Sequence, residues 1–243
     1  MTRLGSLGRS LALATAALIG TAASATAAPM LFTLEGETYN NLSASVLFSY
    51  TGLTSTSGRV DVAVTNTSTA SLLLWPNDPR LTSFAFNLPS APAVTGVTGF
   101  TSSLSGWHSS YSRDNIDTPG QFGFYDAAAL TGPNFNGGSP NSGIARGVTG
   151  NFSFTLSGSG MLGLTESSFL SLLSYDPPRG PNEDEQYFIG RFQRAGILGT
   201  GSDVATPTGA PGPQPPPRGV PEPTTLLLTG LGLLGMTAIR RKA

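Results

Sequence analysis

The chain has 243 residues, no cysteine and a formal net charge of −1, and 11 % of its residues are charged, well under the roughly 25 % usual in soluble proteins. The absence of cysteine excludes a disulfide scaffold, thiol catalysis and a Cys-ligated zinc site. Between Ala28 and Gly219 eight arginines stand against thirteen acids, a net −5, and the sole lysine is Lys242, a balance that argues against nucleic acid as a partner.

Residues 1–27 read as a secretory signal peptide. Arg3 and Arg9 form a positive start, Leu11 to Gly20 is an apolar stretch, and Ala23-Ser24-Ala25 or Ala25-Thr26-Ala27 supplies small residues for signal peptidase. An ectodomain is expected over 28–205. Within it, apolar and polar residues alternate: Ala44, Val46, Phe48 and Tyr50 on one face, then Val60, Val62 and Val64, then Phe84, Phe86 and Leu88, then Phe152, Phe154 and Leu156. A period of two is the mark of a half-buried antiparallel strand. Leu31–Leu34, Val94–Phe100, Gln121–Tyr125 and Gln186–Phe192 add weaker examples. About eight strands separated by turn residues predict an all-β, antiparallel β-sandwich. One short helix is expected near Thr165–Leu173, capped by Thr165, with Phe169, Leu172 and Leu173 as its apolar stripe. Two long loops are expected, Ser102–Pro119 and Leu130–Gly147. Thr206–Gly219, six of whose fourteen residues are proline, predicts an extended linker.

The tail, residues 220–243, reads Val220-Pro221-Glu222-Pro223, then an uncharged run from Thr224 to Ile239, then Arg240-Arg241-Lys242. As a helix the run spans roughly 24 Å, somewhat under a ~30 Å hydrocarbon core, and the flanking cations can reach outward to make up the difference. Those cations keep the C-terminus cytoplasmic, with everything before the run outside. Gly230, Gly232 and Gly235 match the spacing of a dinucleotide-binding fingerprint, but no acid follows them, and glycines of a membrane helix serve close packing. The Val-Pro-Glu-Pro, the short Leu- and Gly-rich span and the basic end together resemble the PEP-CTERM sorting signal. That resemblance implies export by a Gram-negative, exopolysaccharide-producing bacterium and processing of the tail by an exosortase, a membrane cysteine protease that recognises Pro221-Glu222-Pro223. Asp61 to Ser68, the Phe152-Ser153-Phe154 strand and Phe192-Gln193 with Gly201-Ser202-Asp203 are similar to exported proteins of this kind with an immunoglobulin-like or cohesin-like sandwich.

Candidate chemistry is sparse. His108, the only histidine, makes neither a His-ligated metal site nor a recognisable serine triad. Trp107, Tyr111 and Tyr125, with Arg113 and Asp114 beside them, form a candidate sugar platform, since sugar sites combine flat apolar rings with planar polar groups. Asp114, Asn115 and Asp117, and separately Asn182 to Glu185, are candidate oxygen ligands for calcium, the one cofactor considered. Thirteen acids permit a glycosidase-type carboxylate pair without selecting one. Asn41, Asn66 and Asn151 each begin an Asn-X-Ser acceptor sequence. The expected function is therefore that of a non-enzymatic surface or extracellular-matrix protein associated with exopolysaccharide, exported, held transiently in the membrane by its C-terminus and then processed. The alternatives are a carbohydrate-binding module built on the Trp107 loop, and a hydrolase with an unrecognised carboxylate pair.

Overall fold

The computed structural model describes residues 28–69, 78–119, 122–175, 185–196 and 199–213. Residues 1–27, read above as a signal peptide, residues 214–219 of the expected linker, the tail 220–243 and the acidic run Asn182 to Asp184 lie outside the described residues. Ten antiparallel strands make one continuous sheet: β1 (Met30–Gly36), β2 (Ser43–Gly52), β3 (Ser57–Asn66), β4 (Arg80–Phe86), β5 (Gly96–Ser102), β6 (His108–Asp117), β7 (Phe124–Leu130), β8 (Thr149–Ser157), β9 (Phe188–Ala195) and β10 (Gly201–Pro207). A two-residue β11 (Gly212–Pro213) pairs with β1. The order across the sheet is β5-β8-β3-β2-β1-β10-β9-β4-β7-β6.

The strongest alternation gives the most regular part. In β2 every second residue from Ala44 to Tyr50 is buried, and β2 pairs with β3 without a break from Ala44↔Asn66 to Gly52↔Gly58. β8 then pairs with the other edge of β3 in the same regular way. Period-two sequences form such strands because alternate side chains leave opposite faces, and β-branched and aromatic residues pack well on a pleated surface.

The sheet is rolled so that its two halves face each other. Phe86 of β4 lies 5.2 Å from Phe154 of β8 and 5.6 Å from Phe48 of β2, ring centre to ring centre. Phe84 meets Phe152 at 4.9 Å and stacks on Phe188 at 5.5 Å. β4 is far from β2 and β8 in the sheet order, so only folding the sheet over brings these rings together. The all-β, antiparallel architecture with an enclosed core is as expected, and it agrees with a sandwich. It holds ten strands rather than about eight, and the two layers are continuous through the β1–β10 pairing.

Three local expectations are corrected. Ser102–Pro119 is not one long loop: most of it is β6, whose Ser- and Asp-rich sequence carries no hydrophobic alternation and which is held by pairing with β7. The helix is a single turn, α1 (Ser167–Leu170), whose N-cap position is Glu166 rather than Thr165 and carries no side-chain cap bond; Phe169 and Leu170 are buried, and Leu173 is 54 % exposed. The first residues assigned to the linker belong to the domain, because Thr206 and Pro207 end β10 and Gly212-Pro213 lie on β1. Among the described residues no helix is long and apolar enough to cross a membrane.

The half formed by β10, β9, β4 and β7 is covered on its outer face as well. A second cluster there joins Ala85, Tyr125, Ala128, Ile189 and Val204 to Phe122 and Phe135 from the loops. This explains why every residue of β4 after Arg80 is buried, where the Phe84/Phe86 alternation alone predicts one wet face. The loop carrying Phe135 is fixed by polar bonds to β4: the Ser83 hydroxyl donates to the Phe135 carbonyl at 2.9 Å, and the Thr131 hydroxyl to the Thr82 carbonyl at 2.9 Å.

Candidate functional site

The residues singled out around β6 are close together, but most of them hold the fold. Trp107 is 9 % exposed, lies 4.7 Å from Phe152 and 6.1 Å from Phe84, and donates its indole N–H to the Ser142 carbonyl at 2.8 Å. A buried ring with a satisfied N–H anchors the loop to the core and has no free face for a sugar. Tyr125 is fully buried. Tyr111 donates its hydroxyl to the Thr95 carbonyl at 3.1 Å. The predicted aromatic platform is therefore absent as a surface, because its rings are used for packing.

Arg113 closes the seam of the rolled sheet. β5 and β6 end the strand order and are not paired with each other. The Arg113 guanidinium ties β6 to the connection that leads from β4 into β5, donating to the carbonyls of Leu88 (2.9 Å), Pro89 (2.8 Å) and Val94 (2.6 Å), and pairs with Asp126 of β7 at 3.1 Å. Asp126, with a side chain 4 % exposed, also accepts the backbone N–H groups of Leu88 and Asp114. A buried carboxylate is tolerated when its lone pairs are filled and a cation is adjacent, and both conditions hold here.

Of the candidate calcium ligands, Asp114 and Asn115 lie at the irregular middle of β6, where the register with β7 shifts between Tyr111 and Ile116, and Asp117 ends the strand opposite Phe124. Asp114 takes a left-handed backbone (φ 45°). Although Asp114 is exposed as a residue, partial desolvation of its carboxyl raises its pKa above the ordinary carboxylate range, the Asp126 charge raises it further and Arg113 opposes them. Asn115 donates to the Ser112 hydroxyl. Among the described residues no three Asp, Glu, His or Cys side chains converge as a metal site. His108 is exposed on β6 opposite Leu130. Asn66 is fully buried and bonds the carbonyls of Pro79 and Ile144.

Two features were not legible as sites. A groove of about 300 Å³ runs between β6 and the Pro133–Asn136 loop, lined by Ser110, Ser112, Asn115, Asp117, Asn134 and Asn136. The Gly- and Asn-rich composition of that loop was its only signal. On the opposite side of the covering loops, Glu37 and Asp203 border one cavity of about 400 Å³. Asp203 accepts the N–H groups of Thr38, Tyr39 and Val204, and Glu37 accepts the Thr206 hydroxyl, so this carboxylate pair fastens the β1–β2 turn to β10.

Known proteins add one match. The family model described as the PEP-CTERM protein-sorting motif matches residues 219–242, which include the Pro-Glu-Pro, the apolar run and the basic cluster. The chain carries a PEP-CTERM sorting signal. This signal marks the protein as an exosortase substrate, exported and transiently held at its C-terminus. No curated protein and no solved structure matches the chain. The PEP-CTERM tail itself lies outside the described residues, so its residues Val220 to Pro223 and Arg240 to Lys242 are assigned by sequence and by this match.

Proposed function

We propose that this is a non-enzymatic protein of the cell surface or the extracellular exopolysaccharide matrix, delivered by its signal peptide and finished by exosortase processing of the PEP-CTERM tail. The observation that carries this reading is the sorting motif at 219–242, joined to a domain whose singled-out side chains are engaged in holding the fold. Trp107, Arg113, Asp126 and Asp203 each bond a backbone group of another element. The run Thr224–Ile239 serves as the temporary membrane anchor, and Arg240-Arg241-Lys242 fixes its orientation. Replacing Pro221, Glu222 and Pro223 together by alanine tests it in the host: the variant is expected to accumulate at full mass in the membrane fraction, while the native chain is found shortened. Identical distribution and mass for the two contradicts the reading.

A second reading, a carbohydrate-binding module, is favoured by one observation and moves to a new place. The groove beside β6 presents hydroxyl and amide groups from Ser110, Ser112, Asn115, Asn134 and Asn136. Such groups suit the donors and acceptors of sugar hydroxyls. Pulldown on polysaccharide from the host is expected to weaken in an Asn115→Ala, Asn136→Ala double variant. Undiminished retention removes this reading and leaves the first intact.

A further inference from the structure

Arg191 and Arg194 border a single cleft of about 290 Å³, with Gln193, Thr200 and Ser202 around them and Asn136 on the rim. Regular β-strand geometry does not place them so. Side chains alternate along a strand, and Phe192, between them, points into the core and is fully buried. Arg194 falls on the Phe192 side of that alternation, yet it lines the same cleft as Arg191. A left-handed backbone at Arg194 (φ 59°) accompanies this departure, a conformation uncommon for a residue with a side chain.

Neither cation makes an ion pair among the described residues, although Arg191 also lines the cavity that Glu37 and Asp203 border. The ion pairs among the described residues join Arg59 to Asp61, Arg80 to Asp78 and Arg113 to Asp126; none includes Arg191 or Arg194. Arg191 donates to the Ser202 hydroxyl at 2.8 Å, and Arg194 to the Asn141 side-chain oxygen at 2.6 Å. Both partners are neutral and leave most of each guanidinium fork unused. The Arg191 Nε is buried without a hydrogen-bond partner among the described residues. Burial lowers the pKa of this guanidinium, and the Asp203 charge opposes that shift, but the Asp203 oxygens are already filled by three backbone N–H groups. Two arginines thus line one cleft, and among the described residues neither makes an ion pair with a carboxylate.

We propose that the Arg191–Arg194 cleft is an anion-binding site that receives a carboxylate or sulfate group. Two guanidinium forks match the oxygens of such groups, and charge-assisted bonds from arginine are strong and directional. The Ser202 and Thr200 hydroxyls can complete the shell. Asn136 belongs both to this rim and to the hydroxyl-rich groove, so an acidic group carried on a longer ligand has a path between the two. The proposal rests on neither the exosortase reading nor the groove reading.

Equilibrium dialysis of the full-length protein in detergent tests it, with labelled inorganic sulfate in one arm and a galacturonic acid trimer, a carboxylated oligosaccharide, in the other. Saturable binding is expected in at least one arm, at one site per chain. Arg194→Ala and Arg191→Gln are each expected to weaken it about tenfold or more, as loss of a charge-assisted contact does. Arg59→Ala, whose residue pairs with Asp61 on another strand, is expected to leave it unchanged. Arg194 is half-exposed, so its variant keeps the test usable if Arg191→Gln fails to fold. Preference for sulfate identifies a small free anion, and preference for the trimer an acid group on a glycan; either supports the site. No saturable binding in either arm, or binding that Arg194→Ala leaves unchanged, overturns it.

Discussion

Arg113 sits where a hydrogen-bonded strand pair is missing. Its four hydrogen bonds fasten β6 to the connection before β5 and to Asp126 of β7. Removing it strands Asp126 in the interior without its cation, and breaking a buried pair from one side is costly. Arg113→Ala is expected to destabilise the domain by about 3 kcal/mol, seen as a lower urea midpoint. A shift no larger than that of a surface substitution would show that the seam is held by something else. Asp114, one residue on, acts in the opposite sense. Its folded pKa lies above the unfolded value, chiefly through partial desolvation, so the folded state binds this proton more tightly. Stability linked to Asp114 therefore falls as pH rises from the ordinary carboxylate value through the raised one. Asp114→Asn keeps a residue tolerant of the left-handed backbone and removes the charge. It is expected to raise the melting temperature at neutral pH, with the gain fading on acidification below pH 4 or so, where the native Asp is protonated in both states. A gain that persists unchanged in acid contradicts this assignment.

At the scale of elements, the one helical turn shows how a short segment earns a fixed position. Glu166 is 1 % exposed, and its carboxylate accepts the backbone N–H of Tyr50 at 3.0 Å, while Phe169 packs on Phe48 and Tyr50. The Tyr50 hydroxyl in turn donates to the Met161 carbonyl at 2.7 Å. The turn thus plugs the β2 end of the roll. Glu166→Ala leaves a buried N–H unpaired and is expected to cost about 1–3 kcal/mol, measurable by chemical denaturation; the Glu166→Gln variant, which retains an acceptor, is expected to lose less. Legibility followed the same local physics. β2, β3 and β8 could be read because one face of each is wet, which writes a period of two into the sequence. β4 was placed, but not its second buried face, since the cover comes from Phe122 and Phe135 on distant loops. β6 and β10 left no pattern: their Ser, Asn, Asp and Gly residues follow their neighbours' ladders. Trp107, Tyr111 and Arg113 were singled out as a ligand site, but each has its own structural partners, and residue type alone does not distinguish a ring that stacks on a ligand from one that anchors a loop. The Arg191–Arg194 pair was hidden because its cleft depends on a backbone departure at Arg194.

For the whole molecule, a cysteine-free domain gains its stability from an enclosed aromatic core, a second apolar cluster under the covering loops, and polar clasps. Net negative charge in the domain and positive charge in the two ends divide the chain by destination. On the function proposed above, the basic ends belong to the segments handled by the membrane machinery and the acidic part is the exported domain. The central claim, that a PEP-CTERM tail delivers this β-domain and is then processed, is tested most directly by the intact mass of the protein isolated from its host. The expected mass is that of a chain lacking the N-terminal 27 residues or so and ending near Pro221-Glu222-Pro223, without Arg240-Arg241-Lys242 and with any group attached at the new C-terminus. A mature protein that still carries its tail through Ala243 would contradict the account.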